Sequence, residues 1–275
     1  MPLGKHSDAV SPLIVGGQGT YRNGRYYTEF PDRALALDHI AEVANVVETA
    51  DYNCVVCSGG FTKAQTPNLS EAQSIINYWT EIQRKPKVDL VLDEVALDSA
   101  ENVVFGLMAL RKRFPGRPIK RICFYSLWQF KKPRMTALAK DLGIEEHFYF
   151  RAFTDERKAN AGPAALAGEQ NQFEQMKLDR DYLLRGPAWE EKRRSRYKAC
   201  KRKKYEKRDE ELREIFKEVF QAWDALAVTT VGELKSYISK SPYSPAEKAI
   251  EEIRRKKLKH LQKVFLEQVV KPIKG

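Results

Sequence analysis

The chain has 275 residues, is 43% hydrophobic and 31% charged, and carries a formal net charge of +11. That is enough apolar material for one large core, or for one medium domain with an extension. No run approaches the roughly 18 to 20 apolar residues of a membrane span, and the opening MPLGKHSDAVSPLIVGG lacks the apolar centre of a signal peptide. A cytoplasmic protein is the expectation.

Four cysteines (Cys54, Cys57, Cys123 and Cys200) are too few for a disulfide framework. Cys54 and Cys57 form a CxxC inside the apolar run Cys54-Val55-Val56-Cys57, which reads as buried strand thiols. A redox pair instead opens a helix, where the dipole lowers the thiol pKa. His6, His39, His147 and His260 show no ligand-like spacing, so no metal site is expected.

In chain order, short β-rich runs alternate with longer helical patterns, the mark of a parallel α/β sheet. Strands are expected at Leu13–Val15, Cys54–Cys57, Val88–Leu92, Arg121–Tyr125 and His147–Phe150. The first helix follows Pro31 and Asp32, with Leu35, Leu37, Ile40, Val43 and Val46 on one broad face. The second starts at Ser70, with Gln73 in the capping-box position. The third starts at Asp98, with Glu101 three residues on. The fourth starts near Pro133 and closes at Gly143. The fold class is therefore α/β: a Rossmann-like, three-layer parallel sheet of about five strands with a C-terminal helical extension.

After about residue 152 the strand patterns stop. Ala159–Gly168 is rich in small residues and reads as a loop. Helices are expected over Gln172–Leu184, from Trp189 to Trp223 and from Ala246 to Val270. This divides the chain into an α/β domain over 1–185 and a basic helical extension over 186–275. Between Lys192 and Arg208, eleven Lys or Arg residues stand against one acid, Glu206, so nearly all the net charge lies in one segment.

In a parallel sheet the loops leaving the strands open on one edge, where ligands bind. Those loops hold Gly16-Gly17-Gln18-Gly19, Ser58-Gly59-Gly60 leading to Ser70-Glu71, and Asp93-Glu94 leading to Ser99 and Asn102. The last is Ser126 leading to Lys131 and Arg134. Arg33 lies in the first turn of helix one, on the same side. The glycines let backbone approach a ligand, and Ser58–Gly60 and the Ser70 helix start would supply N–H donors to an anion. Arg33, Lys131 and Arg134 would add charge-assisted bonds. Glu71 and Glu94 are candidate general acid/base groups or ribose-hydroxyl acceptors. Taken singly, the glycines also read as tight turns and Ser70 and Asp98 as helix caps. Glu71 and Glu101 suit a first helical turn for dipole reasons, and Arg134 reads as a helix-surface cation. No GxGxxG, GxxxxGK[ST] or GxSxG pattern occurs, which disfavours ordinary NAD, P-loop and serine-hydrolase sites.

Val55-Val56-Cys57-Ser58-Gly59-Gly60, Ser70-Glu71-Ala72, Glu94 with Asp98-Ser99-Ala100-Glu101-Asn102, and Ser126 leading to Pro133-Arg134 together resemble the YdcF/SanA/ElyC-like family (domain of unknown function 218). Arg33 with Ala36 and Leu37 looks like that family's Arg-containing first helix. The likeness covers roughly residues 12–150. Lys131 stands where many bacterial members carry His, and Asp98-Ser99 replaces their Asn-Thr. Trp128-Gln129-Phe130-Lys131 looks more like a soluble branch without a membrane anchor. That branch similarly continues through Gly168-Glu169 and a stretch like Lys192-Arg193-Arg194-Ser195-Arg196. The resemblance implies a Rossmann-like fold, an association with S-adenosylmethionine and, in anchored forms, envelope-polymer metabolism. It carries over no reaction, so the cofactor is unknown, with S-adenosylmethionine as the candidate.

The basic segment has several readings. Arg193, Arg194, Arg196, Lys201, Arg202, Lys203 and Lys204 form a nucleic-acid arm in one, with Tyr197 and Tyr205 stacking on bases. In others it is a solvated helix packing on the domain or a partner, or an arm for an anionic membrane surface. The leading expectation is a domain binding a small phosphorylated, nucleotide-like or S-adenosylmethionine-like anion, with the question of a transferase or hydrolase activity left open. The alternative is a nucleic-acid or ribonucleoprotein factor acting through residues 192–208, or a subunit docking a protein partner through its C-terminal helices.

Overall fold

A computed structural model describes residues 9–28, 33–153, 203–226, 230–240 and 246–271, with positions 167 and 170 singly. Nearly all of the loop expected at 159–168, the whole of the helix expected at 172–184, and Arg193, Arg194, Arg196, Lys201 and Arg202 fall outside these residues; position 167, inside the expected loop, is helical.

Five strands form one parallel sheet: β1 (Pro12–Gly16), β4 (Cys54–Ser58), β5 (Asp89–Asp93), β6 (Ile122–Ser126) and β7 (Phe148–Ala152), in the order β5-β4-β1-β6-β7. β1, β4 and β6 are buried along their whole length, which is why they read as unbroken apolar runs rather than alternations. Every expected strand is present, displaced by one or two residues. Between β1 and the first helix lies a hairpin the strand reading passed over, β2 (Thr20–Arg22) and β3 (Arg25–Tyr27). Its turn is Asn23-Gly24 with φ of 50° and 72°, the two positive values that favour an Asn-Gly hairpin turn.

The helices cover both faces. α1 (Arg33–Ala41), α2 (Val43–Thr49) and α3 (Glu71–Glu81) pack one core, with Trp79 fully buried and its indole N–H donating to the Ile40 carbonyl at 2.7 Å. The single first helix expected from the sequence is two, meeting at Glu42. α4 (Ser99–Arg113) and α5 (Lys132–Asp141) cover the other face. α5 is followed by Gly143 at φ 71°, the left-handed closure its position implied.

α4 is apolar around most of its circumference, and every residue from Ser99 to Arg111 except Ala109 is buried. One side rests on the sheet at Gly106, where an added Cβ would stand 3.3 Å from Val56. The other is covered by the C-terminal helices α6 (Lys203–Ile215), α7 (Lys217–Leu226) and α9 (Ala246–Phe265) through Leu212, Phe216, Phe220, Leu261 and Phe265. α8 (Val231–Lys240) packs on α9. The charged helix expected to run unbroken to Trp223 breaks at Phe216, and the last helix widens into a π-turn over Leu266–Val270. These helices share one continuous core with the sheet rather than forming an appendage.

Arg111, 1% exposed, closes this assembly. Its guanidinium donates to the carbonyls of Val269 (2.9 Å), Val270 (2.7 Å), Phe114, Pro115 and Arg117. Burial lowers its pKa, yet an arginine stays charged, so the carbonyl fan compensates the desolvation. Replacing Arg111→Met removes a charged donor from all five carbonyls, of which the bonds to Val269 and Val270 are the buried ones. Urea denaturation should show a loss of about 3 kcal/mol, and a loss below about 0.5 kcal/mol would remove the clamp from the account.

Cys54, Cys57 and Cys123 are free and buried. Burial, with the charge of Asp89 second, pushes Cys54 up to about 12, and burial pushes Cys57 and Cys123 up as well. In a Cys200→Ser protein at pH 8, iodoacetamide should modify these thiols only after denaturation, since the thiolate is the reacting form. Rapid modification of the folded protein would contradict their packing.

Candidate functional site

Strand order reverses at β1, with β4 and β5 on one side and β6 and β7 on the other. In sheets of this kind the crevice beyond the strand ends is where ligands are held. Informative burial is polar burial. Among the described residues the buried polar side chains concentrate at this edge: Ser58, Ser70, Glu71, Asp93, Ser99, Glu101, Asn102, Ser126 and Arg134.

They form connected groups. Ser58 Oγ, at the end of β4, lies 2.5 Å from Asp93 Oδ2 and 3.0 Å from Asn102 Oδ1. Asp93 also accepts from the Val95 amide at 2.9 Å, fixing the turn after β5. Asn102 belongs to the first turn of α4, whose cap Asp98 accepts from the Ala100 and Glu101 amides. Glu101 turns back as a capping-box residue does, but to the Leu97 amide at 2.6 Å. Lys131 Nζ donates to Ser99 Oγ at 2.9 Å, tying the loop after β6 to the same turn.

The second group surrounds the start of α3. Ser70 caps the helix by accepting from the Gln73 amide at 3.0 Å, and its hydroxyl donates to Glu94 Oε1 at 2.7 Å. Gln73 does not reach back, its amide going instead to Asn77. Glu71, 8% exposed, accepts from the Thr62 hydroxyl. Beside it is Tyr26, buried in the hairpin. Burial first, and the Glu71 charge second, raise the Tyr26 hydroxyl well above the ordinary tyrosine range.

The glycines explain why these groups sit so close. A Cβ on Gly17 would lie 2.4 Å from Glu71 Cβ, one on Gly59 2.8 Å from it, and one on Gly16 2.4 Å from Asn102 Nδ2. Gly59 in addition holds φ 143°, a conformation that disfavours a side chain. The space the glycines leave is filled by Glu71 and Asn102. The expectation that Ser58–Gly60 and the α3 start supply N–H donors to a ligand needs correcting. The Gly17 amide donates to the Ser58 carbonyl, Gly59 to Asp93, Gly60 to Ala96, Glu71 to Gly60 and Ala72 to Gly59. These donors are consumed in holding strand ends and helix starts together.

Of the remaining expected residues, Arg134 is 1% exposed in α5 and Arg33 is exposed at the start of α1. Ser126 accepts from the Trp128 amide at 3.1 Å and shapes its own loop. Lys203 and Lys204 lie in α6, away from the strand sequence.

Three participants were given no role from the sequence, although Asp93 was placed in the loop after the third strand. Asp93 is legible in hindsight as the polar residue ending an apolar strand. Tyr26 belongs to the unread hairpin. Arg208 comes from α6: its Nη1 pairs with Glu94 Oε2, and its guanidinium lies 5.6 Å from the centre of the Phe61 ring. No local signal ties Arg208 to Glu94 across 114 positions.

No helix among the described residues is long and apolar enough to cross a membrane, and none of their His, Cys, Asp and Glu side chains gather in threes as metal ligands do. No family model, curated protein or solved structure matches the chain.

Gly17→Ala should force the α3 start away from β1. We expect a stability loss of about 2 kcal/mol or more in thermal or urea unfolding, in the range of overpacked cores. A neutral Gly17→Ala would mean that the contact with Glu71 yields freely.

Proposed function

We propose that the protein binds a small anionic ligand, phosphorylated, nucleotide-like or S-adenosylmethionine-like, in the crevice beyond the strand ends. The observation that carries this reading is the gathering of buried polar side chains at that edge. Burying such groups costs free energy that a purely structural core avoids by using apolar residues. Two helices, α3 and α4, also direct their positive ends there, which favours negative charge even where the amides are internally bonded. Lys131 and Arg134, on the β6 side of the strand-order reversal, supply the cations, with Arg33 at the rim.

The order of motifs that resembles the YdcF/SanA/ElyC-like family runs through these same loops and supports the same location. Lys131 in place of the His of many bacterial members keeps a positive charge for an anion without offering an imidazole for proton transfer at neutral pH. The reading therefore commits to binding, with Glu71 as the carboxylate placed for an enzymatic role.

Pyrophosphate, nucleotides and S-adenosylmethionine, added singly, should include at least one compound that raises the melting temperature of the wild-type protein. Lys131→Gln, a substitution at a half-buried position, should weaken that compound's binding by roughly tenfold, the value of one charge-assisted bond. No stabilisation by any of them, or equal binding by Lys131→Gln, would defeat the proposal.

A further inference from the structure

Arg208 stands at the end of the basic segment, and two observations bear on its role. It reaches the strand-end edge, where it meets Glu94, the residue that also receives the Ser70 hydroxyl at the cap of α3. It also lines a groove of about 440 Å3 that runs beside β5 from Leu90 to Val95, between the C-terminal end of α4, at Lys112 and Arg113, and α6, at Glu211 and Leu212.

A purely structural role explains this placement poorly. α6 is already held by Leu212 and Phe216, 6% and 1% exposed in the main core, and by the Lys112–Glu211 pair at 3.3 Å. The Arg208 side chain is 41% exposed, and ion pairs at such exposure contribute about 0–1 kcal/mol. α6 does not need this contact to dock.

The guanidinium is suited to something else. It carries five N–H donors in a planar fork, of which Nη1 is engaged by Glu94. The Phe61 face supports the plane by cation–π contact and restricts its rotation. Arg208 lines the groove, and the Nε–Nη2 pair of its fork has the spacing of two oxygens of one phosphate. Because the amides of Gly17, Gly59, Gly60, Glu71 and Ala72 are already bonded, a cationic side chain is the better-placed group to take up an anion's charge.

We infer that Arg208 is a ligand-binding residue of the strand-edge site, contacting a phosphate group of the bound compound. The C-terminal helical layer is then part of that site. The inference rests on the anion-binding reading given above and extends it to a specific ligand class, phosphate-bearing compounds, and to a specific consequence: binding draws α6 more tightly onto the edge.

Pyrophosphate is the probe, titrated calorimetrically into the full chain and followed by amide hydrogen exchange over residues 207–215. In the wild type it should bind and slow exchange in that stretch. Arg208→Gln should fold normally, bind pyrophosphate roughly ten- to a hundredfold more weakly, as expected for a lost bidentate charged contact, and lose the slowing. Arg208→Lys, which keeps the charge without the fork, should restore only part of the affinity. If Arg208→Gln binds as the wild type does while Lys131→Gln does not, the inference fails and the strand-edge site stands. If the wild type binds no pyrophosphate, the inference fails, and the site reading survives only if nucleotides or S-adenosylmethionine bind. Weakening by Arg208→Gln without any exchange response in 207–215 would overturn the proposed tightening of α6.

Discussion

The structure depends on α4 being covered on both sides. A helix apolar nearly all round cannot lie on a sheet with its outer side in water. Residues 99–111 therefore require a second layer, and α6, α7 and α9 provide it. Phe105 and Phe220 meet across that junction with ring centres 6.4 Å apart. Each large apolar side chain buried there contributes about 1.5–3 kcal/mol. That is enough to make the C-terminal helices part of the domain's stability and not an accessory to it. Arg111 completes the arrangement from the far end of the same helix, holding the carbonyls of Val269 and Val270.

The same helix builds the candidate site with its other end. Its cap, Asp98, fixes the turn that presents Ser99 and Asn102. Those two side chains then engage Lys131 from the β6 loop and Ser58 from β4. A close-packed interior transmits displacement instead of absorbing it. A movement of the C-terminal layer on α4 would thus be felt at Asn102, and so at Gly16, against which Asn102 is pressed. The site and the C-terminal layer thus share α4 in their packing.

How far this was legible in the sequence follows from the range of each interaction. Buried parallel strands announce themselves as apolar runs, and Ser70 and Asp98 announce helix starts, because strand burial and capping are set by nearby residues. The Asn23-Gly24 hairpin was equally local and still went unread, since its flanks, Thr20–Arg22 and Arg25–Tyr27, are too short and polar to stand out as strands. What could not be read was long-range. Gly17 and Gly59 look like ligand-approach glycines until Glu71 is placed against both. Arg208 looks like one more cation of a basic arm until folding brings Glu94 beside it. Arg111 looks like a helix-terminal surface charge until the last residues of the described chain close over it.

The two glutamates set apart from the sequence as a pair are housed differently, and that separates their roles. Both oxygens of Glu94 are committed, Oε1 to the Ser70 hydroxyl and Oε2 to Arg208, at a partly exposed position. A carboxylate held at both oxygens organises its neighbours. It orients the arginine fork and fixes the cap of α3, so its contribution is to positioning. Glu71 is more deeply buried and lies against the backbone of both glycine turns, with Thr62 donating to it and the Tyr26 hydroxyl close enough to feel its charge. Removing the Glu71 side chain would act directly on the ends of β1 and β4, whereas removing that of Glu94 would chiefly release Arg208. Of the two, Glu71 is tied to the packing of the glycine turns, and Glu94 to the placement of Arg208 and of the α3 cap.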